Sequence, residues 1–178
     1  MALKDTKNGY GEISLLNHWT VAIFVFAMLT LGLVYDFLPK SDSREMVIIW
    51  HASLGLVAFP IIAWRVIWRI KYGFPKTNEK NKLETFAKKA MHALLLLSLV
   101  LLIFTGPMYL WTEAEPLPFF GLFEIPSPFP EEFEWLHETV ETVHKKVANP
   151  ILIGLLAVHF FAALKSIFWD KKDTFIQK

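Results

Sequence analysis

Residues 147–169 read VANPILIGLLAVHFFAALKSIFW, an apolar run with His159 in its middle and a single charge, Lys165, near its end. An α-helix needs about 20 such residues to cross a hydrocarbon core ~30 Å thick. Lipid cannot satisfy an exposed backbone, so helix is the expected form. Three other stretches have the same character. Residues 13–35 contain VAIFVFAMLTLGLV and no charge, and residues 46–68 read MVIIWHASLGLVAFPIIAWRVIW, with Arg65 only in the last turn. Residues 90–111 read AMHALLLLSLVLLIFTGPMYLW. The fourth helix is expected to begin early, near residue 143, giving spans of about 13–35, 46–68, 90–111 and 143–169. The expected fold is an all-α membrane protein, a four-transmembrane-helix bundle forming one domain over 1–178.

Composition agrees and closes off other classes. The chain has 178 residues, 54% hydrophobic and 20% charged, with a net charge of +1. That hydrophobicity excludes disorder, and the near-neutral charge argues against nucleic acid as a partner. With no cysteine there is no disulfide framework, iron–sulfur cluster, zinc–thiolate site or thioether-attached haem. The first apolar block has no small-x-small cleavage site and is expected to remain as a span.

Lysine and arginine set the expected orientation. Residues 65–89 carry Arg65, Arg69, Lys71, Lys76, Lys80, Lys82, Lys88 and Lys89; Lys4, Lys7, Lys165, Lys171, Lys172 and Lys178 lie on the same side. That side, with both termini, is expected to be cytoplasmic, in a multi-pass protein of the cell inner membrane. The opposite side holds the 111–143 connection, with eight glutamates, five prolines and no Lys or Arg. Its FFGLFEIPSPFP portion reads as a turn-rich interfacial loop, and Pro130, Glu131 and Glu132 suit a helix start.

Histidines carry the chemistry. Of six, His18, His51 and His92 lie near span starts, His144 just before a span and His159 within one. An ionisable group at membrane depth is a functional candidate, although any one of these can be an interhelical hydrogen-bonding histidine. From His144 to His159 is 15 residues, ~22 Å along a helix and ~60° apart in facing. One helix therefore presents a ligand near each membrane face. With alternating span directions, His51 meets His144 at the outer level and His18 meets His159 at the inner level. Paired imidazoles from facing helices suit the axial positions of a b-type haem held without covalent attachment. A bare zinc or iron ion wants three or more ligands, often carboxylates.

The neighbouring residues are read more weakly. Gly55 and Gly154 offer gaps for a flat macrocycle, or ordinary close helix packing. Arg65 and Arg69 lie on the inward face after His51, suited to propionates of the inner haem or to snorkelling. His92 is level with His18 and His159, a rival ligand or a contact for a propionate or quinone headgroup. His137 reads as outer surface.

These residues resemble the prokaryotic cytochrome b561 family of small di-haem membrane cytochromes. The likeness covers roughly residues 10–173. It rests on SLLNHW around His18, IIWHASLG around His51, AWRVIWRIKYGFP after span two, MHALLLLSLVLLIFTGP in span three and VHKKVANPILIGLLAVHFFAALK in span four. The resemblance implies two non-covalent haems b with His18, His51, His144 and His159 as metal ligands, and His92 outside the ligand set. It implies electron transfer between a membrane quinone, ubiquinone or menaquinone, and a periplasmic donor or acceptor.

Two features depart from the family. The 15-residue histidine spacing exceeds the expected 14 by one, and Pro150 suits a local bulge that absorbs the extra residue. The acidic outer loop would repel superoxide, which some family members oxidise, and would attract a basic electron carrier. The expected role is therefore quinone-linked electron transfer. The alternatives are a superoxide:quinone oxidoreductase, a cytochrome b anchor subunit of a larger dehydrogenase, and a haem-free transporter.

Overall fold

A computed structural model describes residues 3–6, 9–73 and 82–168. Lys7, Lys76, Lys80, Trp169, Lys171, Lys172 and Lys178, used above for orientation and span length, lie outside the described residues. Helix α1 covers Glu12–Phe37, α2 Asp42–Tyr72 and α3 Lys82–Trp111. After a hairpin of β1 (Leu117–Phe119) and β2 (Phe123–Ile125) comes a long rod. The rod runs through α4 (Glu134–Glu141), a π-helical segment (Thr142–Ala148) and α5 (Asn149–Phe168).

All four rods are long and apolar enough to cross a membrane. Their outward faces confirm the solvent they are built for. Ile23, Phe26, Ile67, Ile70, Leu97, Phe104, Phe160 and Phe161 are each more than half exposed on the bundle surface, where water would penalise them and lipid does not. The interior is narrow by comparison. Val21 and Val25 of α1, Ala58 and Ile62 of α2, Leu99 and Ile103 of α3, and Leu152 of α5 form the buried cluster.

The helix ends follow local chemistry. Ser41 caps α2 by accepting the Arg44 amide at 3.4 Å, and Gly73 ends it in the left-handed region at φ +67°. The π-helical segment lies directly before Pro150: the Asn149 amide bonds the His144 carbonyl, five residues back. Proline supplies no amide to continue the ladder, and the wider turn absorbs one residue between His144 and His159.

At one end of the bundle, residues 3–6 and 9–11 fold back as a strap, with the Gly11 amide on Asp5 and the Ile13 amide on the Leu3 carbonyl; at the other end lies the hairpin. The hairpin adds strand structure to a connection expected to be turns alone. It forms because Phe119 and Phe123 pair across it, rings stacked with centroids 4.8 Å apart. Its turn has positive φ at Phe120 (+52°) and Gly121 (+70°), and the Leu122 amide bonds the Phe119 carbonyl at 2.9 Å. Such primed turns match the twist of paired strands.

Candidate functional site

Five of the six histidines fall into two layers. At the hairpin end, His51 on α2 faces His144 in the π-helical segment, ring centroids 6.4 Å apart and planes at 80°. The Thr105 hydroxyl donates to the Leu101 carbonyl at 2.7 Å, so its oxygen accepts from His144 Nδ1 at 2.8 Å. That contact fixes the proton on Nδ1 and leaves the lone pair on Nε2. His51 turns its Nδ1 toward α1, 3.8 Å from where a Cβ at Gly32 would lie, and that nitrogen is buried with no partner among the described residues. A buried bare imidazole nitrogen is costly unless a ligand takes it.

Glycine brings the other two helices against these rings. A Cβ at Gly32 of α1 would sit 3.5 Å from His51 Cε1, and one at Gly106 of α3 would sit 3.5 Å from His144 Cε1. Sequence reading passed over both, because a glycine beside a ring leaves no linear signal. At Gly55 a Cβ would meet Met28 Cε at 3.2 Å. At Gly154 a Cβ would meet nothing within 4 Å.

The strap end is more polar. His18 on α1 faces His159 on α5 with centroids 6.3 Å apart and planes at 73°. His92 on α3 also approaches His159, at 5.5 Å, and its Nδ1 donates to the Lys88 carbonyl at 2.7 Å. Arg65 donates to Asn17 Oδ1 at 3.0 Å and to His18 Nδ1 at 3.1 Å. Arg69 is directed elsewhere. It donates to Asp5 Oδ2 at 2.7 Å and to the Gly73 carbonyl at 3.0 Å, in an ion pair whose side chains are 3% and 10% exposed.

Asp5, unremarked in the sequence, also accepts the Gly11 amide at 2.8 Å. Burial alone would raise its carboxyl, but hydrogen bonds from Ser14, Gly11 and Arg69, with the Arg69 charge, bring it below 3.8. Tyr10 is pushed above 10.0 by burial, beside the Arg69 guanidinium 5.2 Å from its ring centroid. Trp68 Nε1 donates to Ser14 Oγ at 2.9 Å, tying the first turn of α1 to α2.

His137 stands apart from both layers. Its Nδ1 lies 3.2 Å from the Tyr109 carbonyl and its Nε2 3.3 Å from Glu113, tying α4 to the end of α3. Among the described residues no group of three or more His, Asp or Glu side chains is placed to hold a bare metal ion. The arrangement is one of imidazole couples rather than cages.

The prokaryotic cytochrome b561 family matches the chain over residues 9–177. The chain belongs to that family. It is similar to cytochrome b561 homolog 2 of Escherichia coli (strain K12), 28% identical over 180 residues, covering 98% of this chain and 93% of the relative. Family membership makes this a multi-pass membrane protein of haem b electron transfer. The histidine layers fit that cofactor on geometry. Imidazole nitrogen binds a first-row metal at ~2 Å, so two rings on opposite faces of one iron have centroids about 6 Å apart. The His18–His159 and His51–His144 separations of 6.3 and 6.4 Å meet this spacing.

Proposed function

We propose that this protein holds two haems b without covalent attachment and carries electrons across the bilayer between them. His51 and His144 would hold one haem at the hairpin end, and His18 and His159 the other at the strap end. The observation that carries the reading is the presence of two imidazole couples at one iron-compatible spacing, about 22 Å apart along the fourth rod. Bound haem would supply one-electron chemistry, and a pair of histidines holding it would favour electron transfer over oxygen binding.

The protein's part is orientation and field. Thr105 fixes the tautomer and plane of His144, as second-layer partners of metal-bound histidine do. Gly32 and Gly106 let α1 and α3 close on the hairpin-end rings, and Gly154 leaves room along the fourth rod. Arg65 sets a positive charge beside the strap-end histidines; its hydrogen bond to His18 Nδ1 belongs to the ring without iron, because an imidazole that gives its Nε2 lone pair to a metal carries its proton on Nδ1. The basic segments around the strap end support a cytoplasmic position for it, in the inner membrane. The glutamate-rich hairpin end would then face the periplasm, where its charge suits a basic electron carrier rather than superoxide. A membrane quinone is the proposed exchange partner within the bilayer.

One observation favours a second ligand at the strap end. His92 donates Nδ1–H to the Lys88 carbonyl, the bond a metal-bound imidazole commonly makes. The ring separation favours His18, and a His92→Ala variant decides between them: full haem content keeps His18, and loss of one haem assigns His92. The experiment for the whole reading is a dithionite-reduced minus oxidised spectrum of the purified chain, with haem counted against protein. Two haems per chain are expected; one or none refutes the proposal.

A further inference from the structure

The hairpin is fastened at an unexpected depth. Ser53 of α2 is fully buried, and its hydroxyl accepts the Phe120 amide at 2.7 Å and lies 3.1 Å from the Pro118 carbonyl. The charge-free stretch of α2 begins at Met46. Ser53 is seven positions further along, about 10 Å past the start of the apolar zone at ~1.5 Å per residue. The turn of the hairpin therefore sits level with His51 rather than above the bundle. Phe120 packs on Trp50, centroids 5.1 Å apart, and Trp50 and Met46 belong to the outward face of α2.

The side chains of the turn fit such a position. Leu122 is 78% exposed and Phe123 54%, apolar side chains on the same hairpin whose Phe120 packs on Trp50. The backbone fits as well. An amide without a partner costs several kcal/mol in hydrocarbon, yet Phe120 bonds Ser53, Leu122 bonds Phe119, and Pro118 has no amide to satisfy. Holding a phenylalanine at positive φ is unfavourable by itself, and the Ser53 bond is what secures it.

We infer that the hairpin turn, with Leu122 and Phe123 foremost, dips into the lipid leaflet at that end of the bundle and anchors the acidic connection to the membrane surface. Its occupant is the boundary between lipid headgroups and acyl chains, continuous with the lipid-facing wall of α2. The anchor fixes the height of residues 112–133 over the His51–His144 couple. This inference uses only the membrane-spanning fold and is independent of haem number.

The absence of cysteine makes the test direct. A nitroxide on Leu122→Cys is the sole label in the full chain, placed in phosphatidylethanolamine–phosphatidylglycerol vesicles. Collision with oxygen, which concentrates in lipid, is compared with collision with a water-soluble nickel chelate. The expected result is several-fold greater relaxation by oxygen at Leu122→Cys, repeated at Phe123→Cys, with Glu132→Cys as the water-exposed reference. Preferential collision with nickel overturns the inference and leaves the turn in water. Protection from both agents also overturns it, because the turn is then covered by protein, such as a second copy.

Discussion

The two histidine layers have nearly the same ring separation and very different surroundings. At the hairpin end, His51 and His144 are surrounded by neutral groups: the Thr105 hydroxyl and the close approach of Gly32 and Gly106. At the strap end, Arg65 touches His18 directly, a third histidine competes for His159, and the Asp5–Arg69 ion pair lies next to them. On the proposed reading, like ligands in unlike fields give one chain two redox centres of different potential. Geometry makes the sites alike, and charge makes them distinct.

The strongest break in that comparison is removal of one ligand. His144→Ala is expected to lose the hairpin-end haem and keep the other, and His159→Ala to do the reverse. Haem per chain should fall from two to one in each, measured by pyridine haemochrome assay. Loss of both haems from either variant would mean the layers are not independent sites.

Crowding a ring comes next. Gly106→Val adds bulk within contact distance of His144, and overpacking of this kind costs about 1–3 kcal/mol. Weaker haem retention is expected at the hairpin end alone, read as haem loss to apomyoglobin. Gly154→Ala, with nothing within 4 Å of its Cβ, separates crowding by protein from crowding of the cofactor: slowed haem uptake there would mark Gly154 as part of the cradle.

Charge gives a smaller effect. Arg65→Gln removes the guanidinium at His18, and a cation beside a metal centre favours the reduced form. The strap-end potential is expected to fall by roughly a tenfold change in the reduced-to-oxidised ratio, ~59 mV for one electron. The hairpin-end potential should stay fixed in the same potentiometric titration. Equal movement of both would remove the electrostatic distinction drawn here.

Asp5 gives the mildest handle, acting on the strap rather than on a ring. Its folded pKa lies below the ordinary value of 3.8, so its contribution is complete above that value and is lost as pH falls through the folded one. Protection of the Gly11 amide from hydrogen exchange should therefore persist at neutral and mildly acid pH and fall below pH 3.8. Asp5→Asn should lower protection at neutral pH and flatten that acid transition.

Much of this was legible in the sequence, for identifiable reasons. Apolar length announces membrane helices, and fixed helical rise separates His144 from His159 by a membrane's depth. The π-helical turn before Pro150 could be anticipated because one extra residue has to be absorbed somewhere. Contacts between distant segments left no such trace. Asp5 meets Arg69 across 64 residues, Thr105 meets His144 across 39, and Phe120 meets Ser53 across 67. The hairpin escaped because strands of three residues are too short to show alternation. His92 stays contested because its depth, all that spacing reports, equals that of His18.

Electron paramagnetic resonance of the oxidised protein in its membrane tests the central claim most directly. Two low-spin ferric signals of equal intensity, both with bis-imidazole character and summing to two irons per chain, are the expected result. A single low-spin signal, or a high-spin signal from iron with an open position, would contradict the account.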